Sequence, residues 1–591
     1  MTPSIAVLAT WVVLGLWVIV LGGFAGALTV GRMGVLGAVR VSIWTGFAIL
    51  VLALLGLNLA VPLNGSTAVI AMVALTVLLA AVGVALVLRA RRNRAEAVDP
   101  HAPFEWWVLV PIVALAAMLV VMAHAAFGSV SNFDSGLYHL NSISFAAEYR
   151  TIPGLGNLHD RYGTNVSVFN VAAFMTNLPW GADAFRLMVG FVISLFAVDL
   201  SLRLADAPRR RSPGLYVMAL AAMLFAPFLM SDTGYWVTSP AADTTAMLVS
   251  IVSAAFLVDA LSGSETVNGS LAVLTAALAA SMRAQLWVLF GLTVVVLVAV
   301  AWRRRRRAAE PRGRVRALTW VGAGLSVGLL AVQLVRDVVL SGWLLYPAGN
   351  FPVPVEWRTG DPQVAREWIQ SWARTPGADP STTQASWDWF GPWLGRNLDD
   401  WAVRGAIGLL ALALLLVLAR RAVGLEPGSA AAPLRLAALA VIPAVGTTLV
   451  WFLAAPDPRF AWGAIASVGL VPAAVLLMAL PAQAVIVPVV AGLMSVFVLP
   501  AAVAGIANVG TTFAEDWESR TYSFGPIDVV AAVNPVPVPA VEDVILDSGD
   551  VVQHPVGTDQ CWTVFPLCRP TTETSLRFRG AGPGDGFVTG S

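Results

Sequence analysis

A polar stretch between hydrophobic segments carries the side chains best suited to chemistry in this 591-residue chain. It consists of residues 131–139 and 154–165. A carboxylate in such a stretch, Asp134, could act as a general base or hold a cation beside a phosphate. We interpret the stretch as an active site. The candidate catalytic residues are Asp134, His139 and His159, and the candidate substrate-binding residues here are Tyr138, Asn157 and Arg161.

Asp134 also has a structural interpretation. It precedes an apolar run, 137–147, and aspartate often caps the first turn of a helix. The histidines and aspartates of the stretch could instead hold a metal ion, but their spacing is irregular and no His-x-x-x-His pair occurs. A divalent metal is therefore the less favoured alternative, and the sequence establishes no cofactor.

Four charged residues near the ends of predicted helices are further candidates for substrate binding: Asp243, Arg283, Arg336 and Arg459. Arginine binds phosphate bidentately, and an acidic residue at a membrane face is costly enough to suggest a function. The structural alternatives are a helix cap for Asp243 and snorkelling of the arginines to the membrane interface.

The composition predicts an integral membrane protein. The chain is 58% apolar and only 12% charged, whereas soluble domains are about a quarter charged. The net charge of +1 gives no argument for a nucleic-acid partner. Apolar segments long enough to span a bilayer predict fourteen helices, near 5–30, 41–62, 67–88, 106–127, 184–205, 214–231, 243–262, 269–284, 286–302, 316–338, 402–420, 434–455, 461–480 and 483–507. A further apolar segment, 166–179, is too short to span, and we expect it to lie in the interface or to re-enter the bundle.

Arginine clusters predict the orientation, since cytoplasmic loops carry the excess of basic residues. With fourteen helices the clusters fall in alternate loops, near residues 32–40, 89–94, 203–211, 303–316 and 420–435. We interpret these arginines as topology signals and contacts to lipid headgroups. The loops 128–183 and 339–401 and the C-terminal tail are then extracytoplasmic, in a bacterial inner (plasma) membrane.

Two outer segments have distinctive compositions. The loop 339–401 is rich in tryptophan, which indicates an interfacial belt or, alternatively, a lid or sugar-stacking surface. The tail from residue 508 has short apolar runs and frequent prolines, which predict a small domain of strands and turns. It contains the only two cysteines, Cys561 and Cys568, and in an oxidising compartment we predict a disulfide between them. Two free, buried thiols are the alternative.

Five segments carry a resemblance to known proteins: Asp134-Ser-Gly-Leu-Tyr-His139, Gly154-Leu-Gly-Asn-Leu-His159, Arg336 to Pro347, Asp457-Pro-Arg-Phe460 and Cys561 to Cys568. Together they resemble a largely uncharacterised group of bacterial multispanning membrane proteins. The resemblance runs from about Trp106 to the end of the chain, and the first three predicted helices lie outside it.

The arrangement also resembles the GT-C superfamily of glycosyltransferases, which use polyprenyl-phosphate sugar donors and place an acidic catalytic residue in the first large extracytoplasmic loop. Asp134 matches that position if the core begins at the fourth helix. The resemblance implies an all-α polytopic bundle divided into additional helices (1–100), a GT-C-like core (101–507) and a β-rich extracytoplasmic domain (508–591). The loop has no Asp-x-Asp pair, which places a metal requirement in doubt.

The resemblance implies transfer of a sugar from a polyprenyl-phosphate donor to a glycan, lipid or protein acceptor of the envelope. Asp134 would remove the acceptor proton, the two histidines would orient the acceptor or the phosphate, and Arg283, Arg336 and Arg459 would neutralise the leaving phosphate. Two alternatives remain open: a transporter or flippase of lipid-linked saccharides, and a non-catalytic envelope assembly protein that uses its tail to bind partners.

Overall fold

The computed structural model describes residues 1–92, 105–210, 212–263, 266–305, 314–349, 351–422, 427–511 and 517–589. The structure is dominated by long apolar segments in helical form. A helix is the form such segments adopt in a bilayer, because it satisfies all of its own backbone hydrogen bonds. The helices are α1 Pro3–Asn58, α2 Ser66–Arg92, α3 Leu109–Ala125, α4 Leu140–Glu148, α5 Ser167–Met175, α6 Met188–Asp206, α7 Pro213–Ser231, α8 Ala242–Ser262, α9 Thr266–Ala280, α10 Trp287–Arg305, α11 Arg314–Ser341, α12 Pro362–Arg374, α13 Pro380–Ala385, α14 Phe390–Asn397, α15 Trp401–Ala422, α16 Pro427–Ala440, α17 Ile442–Ala454, α18 Trp462–Met478 and α19 Gln483–Thr511.

The first helix, α1, folds back on itself at Gly34. This residue has a φ of +70°, a conformation that glycine adopts without steric cost. The two arms then pack so closely that a Cβ atom on Gly46 would lie 1.8 Å from the carbonyl oxygen of Val18. Small residues permit such close approach of helix backbones. Thus α1 contains both of the first two predicted segments.

Among the described residues, eleven helices are long and apolar enough to cross a membrane, with α1 counted once. Two shorter apolar helices, at 267–280 and 462–478, accompany them. Each of the fourteen predicted segments falls on one of these helices. The multispanning helical architecture is therefore confirmed, and fourteen crossings remains a prediction.

The bundle is centred on α8, in which every residue from Ala242 to Leu261 is buried. It packs against α6, α7, α9 and α18. The outer helices expose broad apolar faces, for example Val73, Val77 and Leu78 on α2, as expected for surfaces that meet lipid. The short helix α5 corresponds to the predicted segment 166–179. It is buried among α1, α4 and α8, which favours the re-entrant alternative over an interfacial helix.

The C-terminal tail consists of β-hairpins, in agreement with the predicted strands and turns. Its strands are β3 Glu518–Phe524, β4 Ile527–Val533, β5 Val541–Ile545, β6 Val551–Pro555, β7 Leu576–Phe578 and β8 Phe587–Thr589, paired antiparallel as β3–β4, β5–β6 and β7–β8. A fourth hairpin, β1 Trp343–Leu344 with β2 Phe351–Pro352, follows α11. The predicted disulfide between Cys561 and Cys568 is confirmed.

The polar loops and the tail meet at one end of the bundle. The backbone N–H of Asn534 donates to the carbonyl of Phe127 at 2.8 Å, and that of Phe587 donates to the carbonyl of Pro153 at 3.0 Å. In the loop 339–401, Trp389 and Trp393 are buried, whereas the exposed tryptophans are Trp368, Trp372 and Trp387. Whether this end faces away from the cytoplasm remains a prediction.

Three arginines in the predicted cytoplasmic clusters do not contact lipid headgroups. Arg40, Arg203 and Arg420 are 5%, 2% and 7% exposed. Arg40 and Arg203 form ion pairs inside the bundle, and Arg420 donates to the carbonyl of Ala479. For these three the interpretation as headgroup contacts was wrong, because an arginine near a helix end can turn inward when a carboxylate or carbonyl lies there.

Other parts of the arginine clusters, at 93–94, 211 and 306–313, lie outside the described residues. So does the predicted domain boundary at residue 100. The boundary at residue 507 falls within α19, and the first tail strand begins at Glu518. The division into three domains remains a prediction.

Candidate functional site

Asp134 stands where the loop after α3 enters a wide helical turn, residues 135–139, that leads into α4. Its side chain makes no capping hydrogen bond to this turn. The side chain of Asn132 instead accepts a hydrogen bond from the backbone N–H of Asp134 at 3.0 Å. The helix-cap interpretation of Asp134 is therefore not supported, and its carboxylate is available for a different contact.

That contact is an ion pair with Arg459, a residue that lies 325 positions further along the chain. Arg459 Nη1 lies 3.1 Å from Asp134 Oδ2, and Arg459 Nε lies 3.1 Å from Asp457 Oδ2. Burial by itself raises the pKa of Asp134, but the charges around it, led by that of Arg459, outweigh burial and hold the pKa below its usual value. Asp134 is thus a carboxylate at neutral pH.

A second ion pair lies nearby, between Asp243 at the start of α8 and Arg283 after α9. Arg283 Nη2 is 2.5 Å from Asp243 Oδ1. Nε of Arg283, which this ion pair does not use, has no hydrogen-bond partner among the described residues. The ring of Phe460 lies under both guanidinium groups, 5.4 Å from Arg283 and 5.2 Å from Arg459. Phe460 therefore joins the two ion pairs into one site.

His139 lies one helical turn after Asp134 and is fully buried. Burial lowers the pKa of His139 to about 3, since the charges of Arg283 and Arg459 add to that effect and Asp134 opposes it. Its ring packs against those of Tyr138 and Phe169, with centroids 4.4 and 5.0 Å apart. Neither ring nitrogen has a hydrogen-bond partner in the described part of the chain. At neutral pH His139 is thus an uncharged donor and acceptor with both positions unused.

The predicted residues after Gly154 form a second polar group. His159 Nδ1 lies 2.8 Å from Asp160 Oδ1, and Arg161 Nε lies 3.9 Å from Asp160 Oδ2. Burial raises the pKa of Asp160, but the hydrogen bond from His159 and the charge of Arg161 together bring it well below its usual value. The charge of Arg161 also acts on Asp134 and Tyr138, which places this group beside the first one.

Two predicted binding residues take part in other contacts. The side-chain amide of Asn157 donates to the carbonyls of Trp357 at 2.9 Å and Phe587 at 3.1 Å, which ties the loop to segment 339–401 and to the tail. Arg336, in the last turns of α11, donates to Asn58 and Asn165, and neither partner belongs to the Asp134–Arg459 pair. Substrate binding by these residues remains a prediction.

The disulfide-bonded segment of the tail covers the turn that carries Asp134. The backbone N–H of Trp562 donates to the carbonyl of Gly136 at 2.9 Å, and a Cβ atom on Gly136 would lie 2.4 Å from the Trp562 ring. Gln560 donates to the carbonyl of Phe133 at 2.7 Å, and Phe565 packs on Phe145 of α4 at 4.8 Å. The tail is therefore part of the wall of the site.

A cluster of buried charges at the other end of the bundle was not predicted. Arg203 lies 3.1 Å from Asp199 and 2.6 Å from Asp259, and Arg40 lies 2.9 Å from Asp199. The spacing of Asp199 and Arg203, four residues apart in an apolar segment, was a usable signal, because such residues share one face of a helix. Asp259 lies about 24 Å along α8 from Asp243, at 1.5 Å per residue.

The described residues include no group of three or more histidine, cysteine, aspartate or glutamate side chains placed to hold a metal ion. In the candidate site the carboxylates of Asp134, Asp243 and Asp457 face arginines instead. Independence of metal remains a prediction.

The helical bundle and the charged site at one end of it define a multispanning membrane protein. Its residues 5–466 match the family described as a domain of unknown function (DUF8201), and the chain belongs to that family. The match begins at residue 5, so it includes the first three predicted helices, which we expected to lie outside the resemblance. The disulfide-bonded tail lies beyond the matched residues. Among curated proteins, none matches the chain.

Proposed function

We propose that the protein is a membrane glycosyltransferase of the GT-C type, which transfers a sugar from a polyprenyl-phosphate donor to an envelope glycan, lipid or protein. The observation that carries the proposal is the convergence of Asp134, His139, Arg283 and Arg459 from distant parts of the chain into one buried polar site at the end of the bundle. A carboxylate, an uncharged imidazole and two guanidinium groups provide the base and the phosphate ligands that this reaction requires.

In the proposed reaction the acceptor hydroxyl attacks the anomeric carbon of the sugar. Asp134 takes the hydroxyl proton, the bond from the anomeric carbon to the phosphate oxygen breaks, and the polyprenyl phosphate leaves with the bonding electrons. The two ring nitrogens of His139 and Nε of Arg283 are the groups with free capacity to bind the acceptor and the phosphate. Arg459 keeps Asp134 ionised, so that the base is in its active form at neutral pH.

The test is Asp134→Asn in a strain that lacks the chromosomal copy of the gene. We expect the rate of sugar transfer to fall by a factor of about 10² to 10⁴, the usual range for a lost general base. The asparagine side chain has an oxygen that can accept a hydrogen bond from Arg459, and Arg459 remains paired with Asp457. The variant protein should therefore reach the membrane in normal amount. Envelope glycans measured by mass spectrometry, with the amount of membrane-inserted protein, provide the readout.

Asp361→Asn is the matched control. Asp361 caps α12 in the loop 339–401 by accepting a hydrogen bond from the backbone of Gln363, and asparagine caps a helix equally well. This variant should restore the glycan. If Asp134→Asn also restores the glycan, the catalytic assignment is contradicted. If Asp134→Asn loses association with a partner but keeps the glycan, the result indicates the assembly role.

A carrier of lipid-linked saccharides is the second candidate. The observation in its favour is that α8 bears a buried carboxylate near each end, Asp243 and Asp259, and that each faces an arginine of another segment. A carrier that opens at alternate ends needs contacts at both ends that can break. Reconstitution in liposomes separates the two candidates, because a carrier moves the intact lipid-linked sugar across the bilayer whereas an enzyme forms a new glycoside.

A further inference from the structure

A small cavity lies between α4, α5 and the ends of α1 and α11 that face the polar loops. Its volume is about 40 Å³, and its polar lining includes Arg150, Arg336, Asn58, Ser142, Asn165 and Asn170. We propose that this cavity is a binding site for a phosphate group, separate from the pair formed by Asp134 and Arg459. The proposal does not depend on sugar transfer.

The charge of the cavity is the first argument. Arg336 is 5% exposed, and its guanidinium donates to Asn58 Oδ1 at 2.9 Å, to Asn165 Oδ1 at 3.2 Å and to Thr151 Oγ1. All three acceptors are uncharged. Arg150 adds a second positive charge to the lining, and no aspartate or glutamate is among the described residues that line the cavity. A buried cation is costly without an anion, so the cavity favours a negatively charged ligand.

The adjacent carboxylate of Asp337 does not remove this argument. It accepts hydrogen bonds from Asn165 and from the backbone N–H of Leu345, and Asp337 does not line the cavity. Asp337 is thus engaged by groups outside the cavity and leaves the cavity lining without a carboxylate.

Unused polar atoms are the second argument. The hydroxyl of Ser142 and Oδ1 of Asn170 are buried and have no hydrogen-bond partner in the part of the chain that the structure describes. Both residues line the cavity, and Asn170 is 2% exposed. Ser142 can donate to a phosphate oxygen, and Asn170 can accept from a protonated one or from a bridging water. Unpaired buried polar groups are costly, so a ligand that meets them gains affinity.

The size of the cavity selects the ligand. A water molecule needs about 10–15 Å³ of such volume, so 40 Å³ corresponds to about three water-sized groups, which is the scale of the terminal oxygens of a phosphate group. The phosphate can belong to a membrane lipid or be free inorganic phosphate. Basic pockets between membrane helices bind lipid phosphates, and the cavity lies at the helix ends, where such phosphates are found.

The experiment measures binding to the purified full-length protein in detergent. The probes are a polyprenyl phosphate, the uncharged polyprenol as its neutral match, and inorganic phosphate. The variants are Arg336→Gln and Ser142→Ala, with Arg404→Gln as the matched control, since Arg404 is an exposed arginine paired with Asp399. We expect Arg336→Gln to weaken phosphate binding about ten- to a hundredfold, as for a lost charged hydrogen bond, and the control to have no effect.

Each outcome decides the proposal. Preference for the polyprenyl phosphate over the polyprenol, lost in Arg336→Gln and weakened in Ser142→Ala, supports a lipid phosphate. The same variant dependence with inorganic phosphate supports a free ion. Equal affinity of the wild type and both cavity variants would overturn the site. If Arg336→Gln does not fold, Asn170→Leu, which fills the cavity, replaces it. Because the readout is binding to the purified protein and not sugar transfer, failure of this site and failure of the proposed reaction are distinguishable.

Discussion

At the scale of single residues, the protonation states of the candidate site depend on the arginines and the burial around each group. Asp134 could have been a helix cap, a base or a metal ligand, and the structure pairs it with Arg459. The pair keeps Asp134 ionised, whereas burial keeps His139 neutral. Two neighbouring groups thus have different charge states because one lies beside arginine and the other lies among aromatic rings.

The buried histidine makes stability depend on pH. The pKa of His139 is lowered to about 3, whereas the unfolded chain protonates histidine near its ordinary value of about 6.5. Between these values the unfolded state binds more protons, so acidification destabilises the fold by up to about 1.4 kcal/mol per pH unit. Melting temperatures measured from pH 7 to 5 should fall less steeply for His139→Gln than for the wild type. Equal slopes would show that His139 is not buried as a neutral group.

At the scale of elements, the tail positions the turn that carries Asp134. Trp562 lies against Gly136, and the disulfide between Cys561 and Cys568 closes the segment that presents Trp562. Such a short disulfide loop should stabilise the tail by about 2–3 kcal/mol. Asp134 and the segment that covers its turn come from distant parts of the chain, so their contact depends on the tail being folded.

Gly136→Ala tests this contact. The added Cβ atom would lie 2.4 Å from the ring of Trp562, so the ring and its segment must move. Hydrogen exchange of the peptide that contains residues 555–570, followed by mass spectrometry, should become faster by at least tenfold. Gly582→Ala is the matched control, because its Cβ atom meets nothing within 4 Å. Unchanged exchange in Gly136→Ala would show that the tail does not pack on the turn.

At the scale of the whole molecule, buried charges lie at both ends of a bundle whose middle is apolar. One end holds the candidate site, and the other holds Asp199, Arg203, Arg40 and Asp259. Removing one member of a buried pair costs about 3–5 kcal/mol because it leaves a charge unpaired. We infer that the second cluster fixes how α1, α6 and α8 pack.

The orientation of the bundle is the prediction at this scale. The arginine distribution predicts that Ser131 lies outside the cytoplasm and Arg209 inside it, and both residues are exposed. A cysteine that replaces Ser131 should react with an impermeant thiol reagent in intact cells, and one that replaces Arg209 should react only after lysis. The native cysteines are joined in the disulfide and provide an unreactive background. The reverse labelling pattern would overturn the topology.

The sequence by itself determined the membrane class, the positions of the apolar helices, the hairpin tail and the disulfide. These features depend on local hydrophobicity, on turn residues or, for the disulfide, on the absence of any other cysteine. The same local information located the polar stretch around Asp134, because polar residues are rare in a chain that is 58% apolar.

Only the tertiary structure decided which residues of the chain contact one another. Asp134 meets Arg459 across 325 residues, and Trp562 covers Gly136 from the far end of the chain. The same holds for Arg40, which reads as a topology signal in the sequence but lies buried against Asp199. The physical reason is that an ion pair or a ring contact depends on distance in space, and a helix of apolar residues fits several neighbours equally well. Which helices become neighbours is set by packing and by buried charges together.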